Sequence, residues 1–342
     1  MPGVRVGHST IVQAAGGAHG EIRTGVTAIV HDALVGRGPD GRRTLPAGLA
    51  VFNGFGKITG STQIAELGTI ETPVLLTGTL SVFRVADALL SYLHERPGFA
   101  GTTTLNPVVA ETNDGFLSDI WARPVTSEHV RAALDGAASG PVAEGCVGAG
   151  TGISALGFKA GIGTSSRQIS AHAGQALTLG VLVQANFSGV LTVRGVPVPP
   201  PADELRSASE PTAGDAQAAG NSCVIVLATD AALRARELQR LARRAFAGMA
   251  RAGSDFSGSS GDYGLAISTA NVAGPAATDE HVPGKDLDLL FAAAIEATEE
   301  AILNSLLAAH TTTGYLGHRR PAVPAGYVQA LVSGRSGSQS GS

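Results

Sequence analysis

The sequence predicts an α+β layered sandwich, on three observations. Runs rich in β-branched residues and segments with helical apolar spacing alternate in blocks rather than as strict βαβ units, which argues against a doubly wound sheet. Ser222-Cys-Val-Ile-Val-Leu-Ala228 is a near-continuous apolar run, suited to a buried central strand. Glycine is abundant, 46 of 342 residues, and aromatics are only 4%, so layers and turns must pack backbone close to backbone.

Taken in order, Gly25-Val-Thr-Ala-Ile-Val30 reads as a strand because β-branched side chains fit a pleated surface. Leu49 to Phe52 reads as another, ended by the turn signal Asn53-Gly54, and Pro73 to Thr77 as a third. Val82, Val85, Leu89, Leu90 and Leu93 have helical spacing, so one amphipathic helix is expected over 81–96, stopped by Pro97. Ser127 to Leu134 reads as a short helix with Ser127 as its N-cap. Gly145 to Gly152 and Gly161 to Ser166 read as glycine loops, and Leu177 to Gln184 as a strand. Residues 202–220 are small, polar and acidic without a period, and are expected to form a mobile surface loop. After the 222–228 strand, Ala231 to Arg251 sets apolar residues against six arginines, the pattern of an amphipathic helix. Gly264 to Ser268 reads as a strand and Leu287 to His310 as the longest helix, and 334–342 as a disordered Gly/Ser tail.

Composition narrows the function. The chain is 44% hydrophobic and 15% charged, against about 25% charged in typical domains, so it has ample apolar surface for a core. A net charge of −4 without a basic block speaks against nucleic acid. Two cysteines make no disulfide framework, and the nine histidines show no ligand spacing, so neither metal nor cofactor is expected. His8, His31 and His172 are expected to be structural. No run is long and apolar enough for a membrane span or a signal peptide, which predicts a cytoplasmic protein.

Several residues carry candidate chemistry. The apparent linker ends at Gly220-Asn221-Ser222 and a buried strand begins at once. Ser222 can be an ordinary strand-start hydroxyl. It can also be a nucleophile freed by self-cleavage after Asn221, with hydroxyl and base on one residue. An α-amino group has an ordinary pKa of about 7.7–8 and can accept the hydroxyl proton. Ser260 and Asp262 lie in a serine- and glycine-rich turn, but as i and i+2 of a strand they share a face and could relay to Ser222. Asn186 ends a strand and could donate its amide to an oxyanion, worth roughly 3–4 kcal/mol in other hydrolases. Asn113-Asp114-Gly115 fits an Asx turn. Glu111 follows four small or apolar residues and, half-buried, needs a cation from arginine or a substrate ammonium. Gly148-Ala-Gly150-Thr-Gly152 lacks the lysine of a phosphate loop and reads as close packing.

Together these pieces resemble the DmpA-type aminopeptidases: the L-aminopeptidase/D-amidase/D-esterases and the β-peptidyl aminopeptidases. The matching segments run along nearly the whole chain. They include Val4-Arg-Val-Gly-His8, Asn53-Gly-Phe-Gly-Lys-Ile-Thr-Gly-Ser61, Glu66-Leu-Gly-Thr-Ile-Glu-Thr-Pro73, Gly148 to Gly152, Phe158 to Arg167, Gln184-Ala-Asn-Phe187 and Gly220-Asn-Ser222. The resemblance implies a four-layer αββα sandwich, similar to ornithine acetyltransferase and to the N-terminal-nucleophile hydrolases. It implies one catalytic domain, self-cleaved into an α chain (1–221) and a β chain (222–342) that begins with the nucleophile Ser222. The family's supporting serine and acid fall on Ser260 and Asp262, where glutamate is common and aspartate shortens the reach. Its oxyanion asparagine falls on Asn186, and the acid holding the substrate amino group falls on Glu111. Some members have a tyrosine where Asn113 stands, which leaves α-L, D-amide and β-amino substrates open. The implied partners are short peptides, amides or esters with a free amino terminus, and further copies of the αβ unit as a tetramer or larger, without a cofactor.

Two alternatives remain at this level. One is a related self-cleaving amidohydrolase or acyltransferase of the oligoamide-hydrolase type, whose nucleophile would be threonine. The other is an unprocessed small-molecule-binding homologue in which Ser222 is structural.

Overall fold

A computed structural model describes residues 1, 3–36, 44–171, 174, 176–201, 222–270, 282 and 284–336. Asn221, the 202–220 segment and His172 lie outside the described residues.

Two sheets face each other. The first holds β1 (Val4–Gln13), β2 (Ile22–His31), β5 (Val74–Gly78) and β6 (Val108–Thr112), in the order β1-β2-β5-β6. The second adds β3 (Leu45–Gly54), β4 (Thr69–Ile70), β7 (Ile162–Ser170), β8 (Ala176–Asn186), β9 (Ser222–Thr229) and β10 (Gly261–Ser268). Its order is β4-β3-β10-β9-β8-β7, with β9 and β10 parallel and the other neighbours antiparallel. The apolar 222–228 run is therefore an interior strand, paired on both edges.

Alternation along each strand divides the side chains among three apolar clusters. Val224 and Val226 of β9 point between the sheets, where they meet Leu182, Tyr263 and Leu265 of their own sheet and Ile29, Val74, Leu76 and Ala110 of the other. Cys223, Ile225 and Leu227 point outward, into a cluster with α4 (Ala235–Ala252) and α5 (Gly284–Leu307). The outer face of the first sheet is covered by α2 (Val82–His94) and α3 (Ser127–Asp135), through Val85, Leu89, Val130 and Leu134. The layers are thus helix, sheet, sheet, helix, the expected αββα sandwich.

Local differences from the sequence reading have physical causes. Thr126, not Ser127, caps α3, and its backbone N–H donates to His129 Nδ1 at 3.1 Å. The Gly161 to Ser166 segment is not a loop but the start of β7. A short helix, α1 (Ser61–Leu67), and a C-terminal helix, α6 (Ala325–Ser336), add to the expected set. The latter runs three residues into the segment expected to be disordered. His8 Nδ1 meets Thr27 Oγ1 at 3.0 Å, and His31 Nδ1 accepts the Ala33 N–H at 3.2 Å, both structural contacts. The Gly148–Gly150 turn gives its N–H groups to Thr10, Thr27 and Val147, so it is spent on packing against β1 and β2. Among the described residues no helix is long and apolar enough to cross a membrane, and no three His, Cys, Asp or Glu side chains converge as metal ligands.

Candidate active site

Ser222 opens β9, and register assigns its neighbours. It pairs with Asn186, the last residue of β8, on one side and with Gly261, the first of β10, on the other. Paired residues share a sheet face, so Ser222 and Asn186 stand side by side toward the first sheet, while Gly261 contributes no side chain. A cavity of about 130 Å³ opens here, lined by Phe55, Lys57, Thr79, Glu111, Asn113, Ser222 and Ser259.

Two side-chain amides tie the sheets together beside this cavity. Gln184 Nε2 donates to the Thr77 carbonyl at 3.1 Å, and Asn186 Nδ2 to the Asn113 carbonyl at 3.0 Å. Asn186 Oδ1 accepts the Ser154 N–H at 3.1 Å, which fixes the amide's orientation. Asn113 forms the expected Asx turn, its Oδ1 accepting the Gly115 N–H at 2.9 Å. Asp114 is turned away and fully buried, bonded by Thr24 Oγ1 at 2.5 Å. Burial, opposed by that bond, pushes its pKa up to about 6.

Glu111 is 2% exposed. Its Oε1 accepts both the Lys57 backbone N–H at 3.0 Å and Lys57 Nζ at 3.2 Å, and Nζ also donates to Thr79 Oγ1 at 2.5 Å. Its Oε2 is buried without a hydrogen-bond partner. Burial pushes the Glu111 pKa up, and the Lys57 charge and hydrogen bonds pull it part of the way back. An unpaired carboxylate oxygen in a closed space is costly, and a cationic ligand would remove that cost.

Ser260 Oγ donates to Asp262 Oδ1 at 2.7 Å, so the two side chains are hydrogen-bonded to each other. Asn53 Nδ2 holds Asp262 Oδ2 at 2.9 Å. Burial raises the Asp262 pKa, while the bonds from Ser260, Asn53 and the Cys223 backbone lower it. Register, however, sets Asp262 opposite Cys223 and not opposite Ser222. The pair therefore lies on the helix-facing side of the sheet, and it is Ser259, not Ser260, that lines the cavity.

Three further groups shape the site, and the sequence singles out none of them for chemistry. Lys57 reaches Glu111 because residues 57–59 run along β6, with Thr59 N–H on the Val109 carbonyl at 2.9 Å. Asn53 braces Asp262. Tyr263 Oη accepts the Gly56 N–H at 3.1 Å and anchors the segment that carries Phe55 and Lys57. A larger cavity, about 380 Å³, opens at the opposite end of β9 beside Val226 and Ala228, but no acidic or basic side chain lines it.

Comparison with known proteins bears directly on this arrangement. The model of peptidase family S58 matches residues 1–320. The β-peptidyl aminopeptidase BapA of Sphingosinicella microcystinivorans is 40% identical over 97% of this chain and 86% of that protein. Among solved structures, a Burkholderia sp. β-aminopeptidase superposes with a TM-score of 0.83 at 41% identity, covering 97% of this chain and 92% of that one. The L-aminopeptidase D-Ala-esterase/amidase of Ochrobactrum anthropi superposes with a TM-score of 0.86 at 36% identity, covering 98% and 92%. That structure is described as a prototype of the serine aminopeptidases and a variant of the N-terminal-nucleophile hydrolase fold. A match of this extent, over both sheets and all the strands that meet at Ser222, leaves one assignment: the chain belongs to peptidase family S58, the peptide-bond hydrolases with this αββα architecture.

Proposed function

We propose that the chain is a self-processing serine aminopeptidase that releases N-terminal residues from short peptides, amides or esters through an acyl-enzyme on Ser222. The observation that carries this reading is that Glu111, whose Oε2 is buried without a hydrogen-bond partner, lines the same small cavity as Ser222. A carboxylate with one oxygen on Lys57 and the other without a partner, in the same cavity as a hydroxyl, fits a substrate whose free ammonium lies close to the bond that is cut.

Processing comes first. Ser222 Oγ attacks the Asn221 carbonyl, the C–N bond breaks as the nitrogen takes a proton, and water hydrolyses the resulting ester. This frees a serine with its own amine, ordinarily titrating at about 7.7–8 and thus able to serve as base near neutral pH. A strand's terminal nitrogen lies in the plane of the sheet and can be approached from either face. Ser260 and Asp262 are therefore assigned to the amine, from the helix side, while the hydroxyl works on the opposite face. In turnover, Glu111 holds the substrate ammonium. Ser222 attacks the scissile carbonyl and the amine takes its proton. The second amide hydrogen of Asn186 and nearby backbone N–H groups stabilise the oxyanion. The amine then returns the proton to the leaving nitrogen, and water releases the acyl group.

The relatives named for β-peptides favour a β-amino residue at the amino terminus, whose carbonyl stands one carbon farther from the ammonium than in an α-peptide. Assembly into homo-oligomers is part of the proposal.

The test is the intact mass of freshly purified protein beside its Ser222→Ala variant, with both assayed on α- and β-aminoacyl anilides. The parent is expected as two fragments, one beginning at Ser222, and active. The variant is expected uncut and inactive. An uncut, inactive parent after long incubation at neutral pH would refute the assignment.

A further inference from the structure

The Lys57–Glu111 pair is not saturated on either side. Glu111 Oε1 takes two bonds from Lys57, and Oε2 takes none. Lys57 Nζ gives one bond to Glu111 and one to Thr79, which leaves the third of its three N–H donors, and its side chain is 41% exposed toward the cavity. Nζ stands 3.2 Å from Oε1, so the spare donor and the spare acceptor, Oε2, belong to one ion pair. Among the described residues lining the cavity, these two are the ionisable side chains.

Charge balance then discriminates between ligands. Lys57 and Glu111 together are neutral. An ordinary amino terminus brings only an ammonium and leaves the small site with a net positive charge. A head group with an ammonium and a carboxylate on the same carbon keeps it neutral and satisfies both spare valences, the ammonium on Oε2 and the carboxylate on Nζ. In an α-linked peptide the carboxyl beside the ammonium is consumed in the scissile bond. In a β-aspartyl peptide it is free, and the scissile carbonyl sits one methylene farther along.

We propose that Lys57 is a specificity-determining residue that binds the free α-carboxylate of N-terminal β-aspartyl residues, making β-aspartyl peptides a substrate class of this site. The inference rests on the aminopeptidase reading above and deepens it. A β-aspartyl residue is a β-amino acyl group bearing a carboxylate where β-homoalanine bears a methyl, so its ammonium and carbonyl keep the spacing of a β-peptide.

The experiment compares β-aspartyl-alanine with β-homoalanyl-alanine as substrates of the mature, full-length enzyme and of its Lys57→Met and Lys57→Arg variants. The parent is expected to favour the β-aspartyl peptide by about tenfold or more in kcat/KM, chiefly through KM, as one added charge-assisted hydrogen bond implies. Lys57→Met is expected to abolish that preference and Lys57→Arg to retain it. A parent that favours the methyl peptide overturns the inference. So does a Lys57→Met variant that loses the same factor on both substrates, because Lys57 would then serve only to support Glu111. Cleavage of α-aminoacyl anilides without cleavage of either β-peptide overturns the inference and leaves the aminopeptidase reading intact. A processed enzyme that cuts none of these substrates overturns both.

Discussion

Glu111 is held between two opposing influences, burial that favours its neutral acid and Lys57 that favours its anion. Burial wins, so its pKa lies above the ordinary carboxylate value of 4.5. The proposed role needs the anion, so activity must rise as pH rises through that raised value. The proposed base, the Ser222 amine, must also be deprotonated, and it titrates in the same direction. The acid side of log kcat/KM is therefore expected to reach a slope of two in the parent. Glu111→Gln should reduce that limiting slope to one and lower kcat/KM by about a hundredfold, through loss of a charge-assisted bond to the ammonium. A pH–rate series on a β-aminoacyl anilide measures both. An unchanged slope in Glu111→Gln would remove Glu111 from the binding site. Titratable neighbours within electrostatic reach are Lys57, Asp114 and Tyr263, and the series in Asp114→Asn separates the contribution of Asp114. Ser222, Asn186 and Glu111 are legible in the sequence because each is a polar residue at the end of an apolar run, where strands meet a cleft. Lys57 is not, since only the pairing of residues 57–59 with β6 brings it to Glu111. The side of the sheet on which Asp262 lies is hidden for a similar reason. The i, i+2 rule joins it to Ser260, but its facing partner depends on the register of β10 against β9.

At the scale of elements, the start of β7 is a strand whose sequence has the pattern of a loop. Gly161-Ile-Gly-Thr-Ser-Ser166 resembles a loop because glycine is disfavoured in strands. Here the glycine is required by what packs above it. A Cβ on Gly163 would stand far inside van der Waals contact with the Ala301 carbonyl oxygen and 2.6 Å from the Ser305 backbone nitrogen, both on α5. Backbone cannot rotate away as a side chain can. Gly163→Ala is therefore expected to lift α5 off the sheet and cost about 1–3 kcal/mol or more. Its urea midpoint should fall while the m-value holds. An unchanged midpoint would mean that α5 has room to move. The same reasoning explains which elements the sequence reveals. β2, β5, β8 and β9 carry β-branched or continuous apolar runs, and α2, α4 and α5 carry a helical period or sheer length, so pattern alone identifies them. β1 and β7 are edge strands whose side chains are only partly buried, and their polar positions blur the period. α1 is seven residues long, fewer than two full repeats of its apolar face, and offers no period to read.

For the whole molecule, the position of β9 decides what the proposed cleavage does to stability. β9 and β10 come from the segment after the cut, and every other strand of their sheet comes from the segment before it. β9 pairs with β8 from Ser222 to Thr229, and β10 pairs with β3 from Gly261 to Ile267. The two segments are thus interleaved, and neither can leave without dismantling the six-stranded sheet and the core beneath it. Cleaved protein should elute as one particle in native buffer and separate only when denatured. The cut nevertheless changes the order of the unfolding reaction, because one folded unit now yields two unfolded chains where the intact precursor yields one. Mass action then adds a dependence on concentration. At about 2.1 cal/mol/K of unfolding entropy per residue, a chain of this length should gain about 2 °C in Tm for each tenfold rise in concentration, in reversible unfolding. Assembly into oligomers would add its own dependence, but it adds the same amount per unit to cut and uncut protein. The difference between the two slopes therefore isolates the cleavage. Processed parent and uncut Ser222→Ala, scanned side by side over a hundredfold range of concentration, should diverge by about 4 °C between the ends of that range. Parallel slopes with a fully cleaved parent would mean that the segments unfold independently, and that the interleaved sheet is not the structure that holds them together.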